Sequence, residues 1–185
     1  MIFVFRLQTR QLFSEIRKSS VKFSPSQSRI LSATLLIFRR NQGQDDLKVP
    51  PTSGGLLMAF YHYKRFLTEG MKGFVERGTY HAGHEPYYPY AADGSAPKNL
   101  NDLRIDTEVL KTEHAGVSAK WYFSLSDQKL LGFEVWIENN SDPCEVYLSD
   151  YRPVDGRQLP YRFEVRHGDE RFAILTVTSY KLAEK

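Results

Sequence analysis

A period of two runs through the C-terminal half of the chain, and it constrains the fold more than any other feature. Leu103, Ile105, Thr107 and Val109 alternate with Arg104, Asp106 and Glu108; Ala119, Trp121, Phe123 and Leu125 alternate with Lys120, Tyr122 and Ser124. The pattern returns in Leu131, Phe133, Val135 and Ile137 against Glu134, and in Leu159, Tyr161, Phe163 and Val165 against Arg162, Glu164 and Arg166. Successive side chains of a strand point to opposite faces, so each run describes a strand with one apolar and one solvated side. Ser126-Asp127-Gln128-Lys129, Asn139 to Pro143, Val154-Asp155-Gly156 and His167-Gly168-Asp169-Glu170 separate the runs with turn residues. The reading is an antiparallel meander of about six consecutive strands, solvated on one face.

One helix stands out ahead of the strands. Leu56, Phe60, Tyr63 and Leu67 recur at four, three and four residues over Leu56 to Glu69, which is one face of a 3.6-residue period. Ser53 is placed to cap its start and Gly70 to end it. The helix has an apolar stripe to bury and the sheet has an apolar face to cover. The economical fold is α+β: a curved antiparallel sheet, an open half-barrel, with one main helix packed on its concave face. The segment from Met71 to Asn101, rich in glycine, proline and tyrosine, reads as a long loop lying on the body.

Ahead of the helix the composition changes. Residues 1–40 hold eight arginines and lysines against the single acid Glu15, although the whole chain is only +3, so a basic extension precedes a mildly acidic body. With a Ser-rich link and Pro50-Pro51, this divides the chain into a basic, weakly structured extension at 1–53 and a β-meander domain at 54–185. The apolar run from Ile30 to Phe38 is far short of the ~20 residues that span a bilayer. The opening Met1 to Phe5 meets Arg6 with no basic region before it, so it is a poor signal peptide. The chain is therefore expected not to be transmembrane. A single cysteine, Cys144, excludes an intrachain disulfide and a thiolate metal cluster.

Few residues offer chemistry. His81, His84 and Glu85 form the strongest metal-like cluster, yet they lack the i, i+4 helical spacing of zinc proteases and stand beside glycine and proline. Thr52-Ser53-Gly54-Gly55 is similar to the nucleophile turn of trypsin-like proteases, but no histidine precedes Ser53, as that order requires. The aromatics around Arg162 and Arg166 are interleaved with Glu164 on an acidic body, which argues against nucleic acid. No cofactor is called for and no catalytic residue is assigned. Recognition by shape remains: Trp121, Phe123, Phe133, Val135, Ile137, Phe163 and Val165 would line an apolar trough for an acyl-chain-like ligand, or else pack as core against the helix.

The run Tyr151-Arg-Pro-Val-Asp-Gly-Arg-Gln-Leu-Pro-Tyr-Arg-Phe-Glu-Val, with a last strand at Phe172 to Tyr180, resembles the closing strands of the lipoprotein-carrier (LolA/LolB-like) fold. There a V-D-G-x-x-L-P corner joins strands of an open barrel. More closely, Gly54 to Leu182 resembles the C-terminal β-domain appended to some bacterial trypsin-like serine proteases. The stretches that match start at Gly54, Ala91, Lys120 and Asp142: Gly-Gly-Leu-Leu-Met-Ala-Phe-Tyr-His-Tyr-Lys-Arg-Phe-Leu, Ala-Ala-Asp-Gly-Ser-Ala-Pro-Lys, Lys-Trp-Tyr-Phe and Asp-Pro-Cys-Glu-Val-Tyr. The resemblance implies a periplasmic or cell-envelope binding or accessory domain, without its own triad, that takes an apolar ligand or docks a protease partner. Its alternative is the regulatory C-terminal fragment of a trypsin-like protease.

Overall fold

A computed structural model describes residues 2–7, 32–34, 55–74, 79–89, 99–114, 116–138, 140–168 and 170–181. Nine strands and one α-helix occur among them: β1 (Ile2–Leu7), β2 (Ser32–Thr34), α1 (Leu56–Glu69), β3 (Thr79–Tyr87), β4 (Ile105–His114), β5 (Val117–Ser124), β6 (Leu130–Trp136), β7 (Cys144–Val154), β8 (Arg157–His167) and β9 (Glu170–Lys181). Short 3-10 turns occupy Gly70–Phe74 and Leu100–Leu103. Strands β3 to β9 follow one another as an antiparallel meander, and β1 and β2 extend it beyond β9, giving the order 2-1-9-8-7-6-5-4-3. The two end strands do not pair, so the sheet is open. The fold is α+β, an open curved sheet with, among the described residues, one α-helix on its concave face.

The turns explain the register. At Val154-Asp155-Gly156-Arg157, Asp155 and Gly156 both have positive φ (46° and 76°), and Val154 pairs with Arg157. This is the two-residue hairpin whose twist matches that of the flanking strands, and Asp-Gly is the dipeptide it favours. Register shifts interrupt the ladders at His81/Gly83, Tyr122/Phe123 and Val165/Arg166. Each extra residue sharpens the local twist, which bends a broad sheet around a helix.

Strand β3 lies inside the segment read from sequence as loop. Its His-Ala-Gly-His-Glu-Pro-Tyr core hides the period of two, because the shift at Gly83 (φ 96°) breaks the alternation. Pro86 is tolerated because β3 bonds only to β4, as an edge strand.

The helix begins two residues later than a Ser53 cap would place it. Its N-cap is Gly55, in the left-handed region with φ 81° and no side-chain cap; Ser53 is outside the described residues. A Cβ on Gly55 would lie 2.7 Å from Ile137 Cδ1 and 3.2 Å from Cys144 Cβ, so only glycine lets the helix enter this close to the sheet. Gly70 ends the helix (φ 63°), and its N–H donates to the Phe66 carbonyl. The following 3-10 turn drops Phe74 into the core, held by an Arg65 Nε donation to the Gly73 carbonyl.

The sheet buries apolar groups on both faces. Trp121, Phe133, Val135, Val146, Phe163, Val165, Leu175 and Val177 join Met58, Ala59, Phe60 and Tyr63 of α1 in the concave core. A second cluster on the opposite face gathers Tyr87, Val109 and Tyr122, with Leu131 and Tyr147 against them. This corrects the phase read for β4. Val109 pairs with Tyr122 and Leu110 with Trp121, so it is Leu110, Thr112 and His114 that face the helix. The alternation was legible, but its two faces are both half apolar, and pattern alone does not say which one meets α1. Gly132 serves the convex cluster: a Cβ there would collide with the Tyr87 hydroxyl and lie 2.7 Å from the Val146 carbonyl, while Tyr87 donates to the Leu131 carbonyl at 3.0 Å.

Candidate functional site

The aromatic floor and its cover form the most organised feature of the molecule. Of the seven residues read from sequence as trough lining, Trp121, Phe133, Val135, Phe163 and Val165 are buried in the concave core, while Phe123 and Ile137 pack at its margin. Their inward direction follows from the registers Trp121↔Phe133, Ala119↔Val135, Phe133↔Val146 and Val165↔Val146. Helix α1 fills the hollow above them. Tyr63 stacks on Phe133 with centroids 5.3 Å apart and meets Phe163 edge-on at 5.5 Å. Phe66 stacks on Trp121 at 5.0 Å and approaches Phe123 at 6.1 Å. Such ring pairs add about 0.5–1.5 kcal/mol each beyond their buried area. The Trp121 indole N–H donates to Thr112 Oγ1 at 2.9 Å, so the largest floor residue is also hydrogen-bonded. In this arrangement the trough is occupied by the protein's own helix.

A group that the sequence reading passed over sits beneath that helix. His62 of α1 is completely buried, and neither ring nitrogen has a hydrogen-bond partner among the described residues. Its ring lies 5.8 Å from that of His114 on β4 and 5.7 Å from Phe74, while Tyr61 Oη and His114 Nε2 share a hydrogen bond at 3.4 Å. Burial pushes the pKa of His62 down to about 3, and the neighbouring His114 and Arg65 add to the effect. The helical period does not mark it: His62 is turned about 100° from Tyr63, off the stripe of Leu56, Phe60, Tyr63 and Leu67.

His81, His84 and Glu85 do not converge. His81 and His84 lie opposite Leu110 and Glu108, and His81 Nε2 is 3.3 Å from Glu108 Oε1. Glu85 lies opposite Thr107 and accepts from Lys120 Nζ at 2.7 Å on the other face. Alternation on one strand separates the third ligand from the first two. The described residues hold no cluster of three or more such groups arranged to take a metal ion.

The convex face carries a polar band beside its tyrosines. Lys120 stands opposite Glu134, Glu134 opposite Glu145, and Glu145 opposite Arg166. Arg166 Nε donates to Glu164 Oε1 at 3.1 Å with both side chains buried, and Arg162 donates to Glu164 Oε2 at 2.9 Å. Burial raises the pKa of Glu134, and the nearby Glu145 carboxylate pushes the same way. A shallow cleft of about 290 Å³ lies at one end of the sheet, lined by Tyr80, Lys111, Glu113, Ser118, Lys120 and Trp136. It is small, open and mixed in polarity, with Lys111, Glu113 and Lys120 on its wall, unlike an enclosed site for a chain of methylenes.

The imidazole contacts described here pair His114 with Tyr61, His81 with Glu108, and His167 with the Pro143 carbonyl. None of these contacts involves a serine, threonine or cysteine. Burial pushes the Cys144 thiol up to about 12, with Glu145 adding to it, which leaves almost no thiolate at neutral pH. Native protein is therefore expected to resist thiol reagents at pH 8, with labelling at least a hundredfold slower than in urea. Equal rates in the two states would place Cys144 at the surface. No described helix is long and apolar enough to cross a membrane. Comparison with protein-family models, curated proteins and solved structures finds no match to this chain.

Proposed function

We propose that this chain is a non-catalytic binding domain whose ligand is apolar and acyl-chain-like, received between α1 and the concave sheet. One observation carries the reading: a floor of Trp121, Phe133 and Phe163 is covered, among the described residues, by one helix with a glycine at each end, Gly55 and Gly70. Displacing α1 exposes a continuous apolar surface, and an alkyl chain laid on it recovers about 25 cal/mol per Å² of the area it covers, before ordering costs. The lipoprotein-carrier resemblance supports the same reading and suggests a bacterial envelope setting. The second reading, a regulatory domain that docks a trypsin-like protease, rests on resemblance alone.

The test is direct titration with a fluorescent fatty acid. Wild type is expected to bind it saturably and to release it to unlabelled fatty acid. Phe133→Asp, checked for native circular dichroism, is expected to lose at least tenfold in affinity. Absence of binding by wild type, or equal binding by the variant, rejects an apolar site on this floor.

A further inference from the structure

From the surroundings of His62 we infer that α1 is an acid-released cover, held down at neutral pH by a neutral histidine and freed when that histidine takes a proton. The inference rests on the reading above, in which the space beneath α1 is the binding site, and supplies its regulation.

His62 sits on the buried face of α1 with no partner for either ring nitrogen. The groups that face it make protonation in place unfavourable. From β4 comes His114; from its own helix come Tyr61 and the Arg65 cation, which is held by Glu69 at 3.3 Å; the 3-10 turn contributes Phe74. Among the described residues no carboxylate is among the charges acting on it. Among the described residues an imidazolium here would face no carboxylate, and its ring is shut off from bulk solvent, so the proton binds when the helix leaves.

The direction is fixed by linkage. The closed-state pKa of His62 lies near 3, below the ordinary 6.5. The helix–sheet contact thus holds fully above about pH 6.5 and weakens as pH falls toward 3, because the open form binds the extra proton. One proton changes the open-to-closed ratio about tenfold per pH unit within that window, or roughly 25-fold from pH 7 to pH 5. Gly55 and Gly70, both at positive φ, provide hinges at the two ends of the moving element.

Cys144 is a built-in reporter, since it lies under the N-terminal end of α1 at Gly55. The experiment measures its labelling by 4,4′-dithiodipyridine from pH 7 to pH 5, relative to unfolded protein at each pH, in wild type, His62→Leu and His62→Gln. The expected result is a roughly 25-fold rise in wild type across the range, with a shallow dependence on urea. Both variants are expected to lose that roughly 25-fold rise. A flat wild-type profile, an unchanged slope in either folded variant, or a urea dependence equal to that of global unfolding overturns the acid-released cover. Fatty-acid binding is read separately at each pH. If the labelling slope appears as expected and no fatty acid binds, the cover stands and the proposed ligand falls.

Discussion

Replacing Trp121 by alanine is expected to cost about 3–5 kcal/mol of folding stability, the range for truncating a large buried aromatic. The indole has no exposed surface, and it stacks between Phe66 of α1 and Phe133 of β6 at 5.0 Å from each, with Phe74 at 5.5 Å. Its removal opens a cavity where helix and sheet meet and takes away the donor to Thr112 Oγ1. A domain of this size holds only about 5–15 kcal/mol in total, so at least about a fifth of it is lost. Urea titration should show a lower midpoint at an unchanged slope. Trp121→Phe keeps the stacking and gives up the hydrogen bond, so it should be affected by roughly a third as much. Equal losses for the two variants would mean the ring stack contributes little.

The second large effect is expected on the convex face. Glu164 accepts from Arg166 and Arg162, and the Arg166 and Glu164 side chains are each about 6% exposed. Glu164→Leu removes the carboxylate and leaves a buried guanidinium without that counter-charge, which costs about 3–5 kcal/mol. Arg162 is a quarter exposed and can rehydrate, so Arg166 carries most of the loss. Adding Arg166→Met to Glu164→Leu should restore most of the stability, because the buried guanidinium that lost its Glu164 partner leaves with it. A double variant as unstable as the single one would show that the ion pair is not the source of the loss.

Strands β4 to β9 and the helix were legible because their signals are local, whereas β1 and β2 lie in the stretch read as a weakly structured extension. Asp155-Gly156 announces its hairpin, Gly70 announces the end of α1, and the alternation around Trp121, Phe133 and Phe163 places those three rings on one face. Strand β3 was not legible, since a register shift at Gly83 and a proline at 86 erase the alternation an edge strand would otherwise show. The phase of β4 was misread because the convex face is also apolar, at Tyr87, Val109 and Tyr122. The aromatic residues of the candidate site were found by their period. The histidine that governs its cover was not, because a buried His62 and a solvated one look alike until β4 brings His114 beside it.

Trp121 also provides the closest look at the central idea, that an alkyl chain enters between α1 and the floor. The chain has two tryptophans, so Trp136→Phe leaves Trp121 as the sole indole emitter. Titration of that variant with a bromine-labelled dodecanoate should quench its fluorescence saturably, and unlabelled dodecanoate should reverse the quenching, because bromine quenches an indole only near contact. Saturable binding that leaves Trp121 emission unchanged would put the ligand elsewhere and contradict the account.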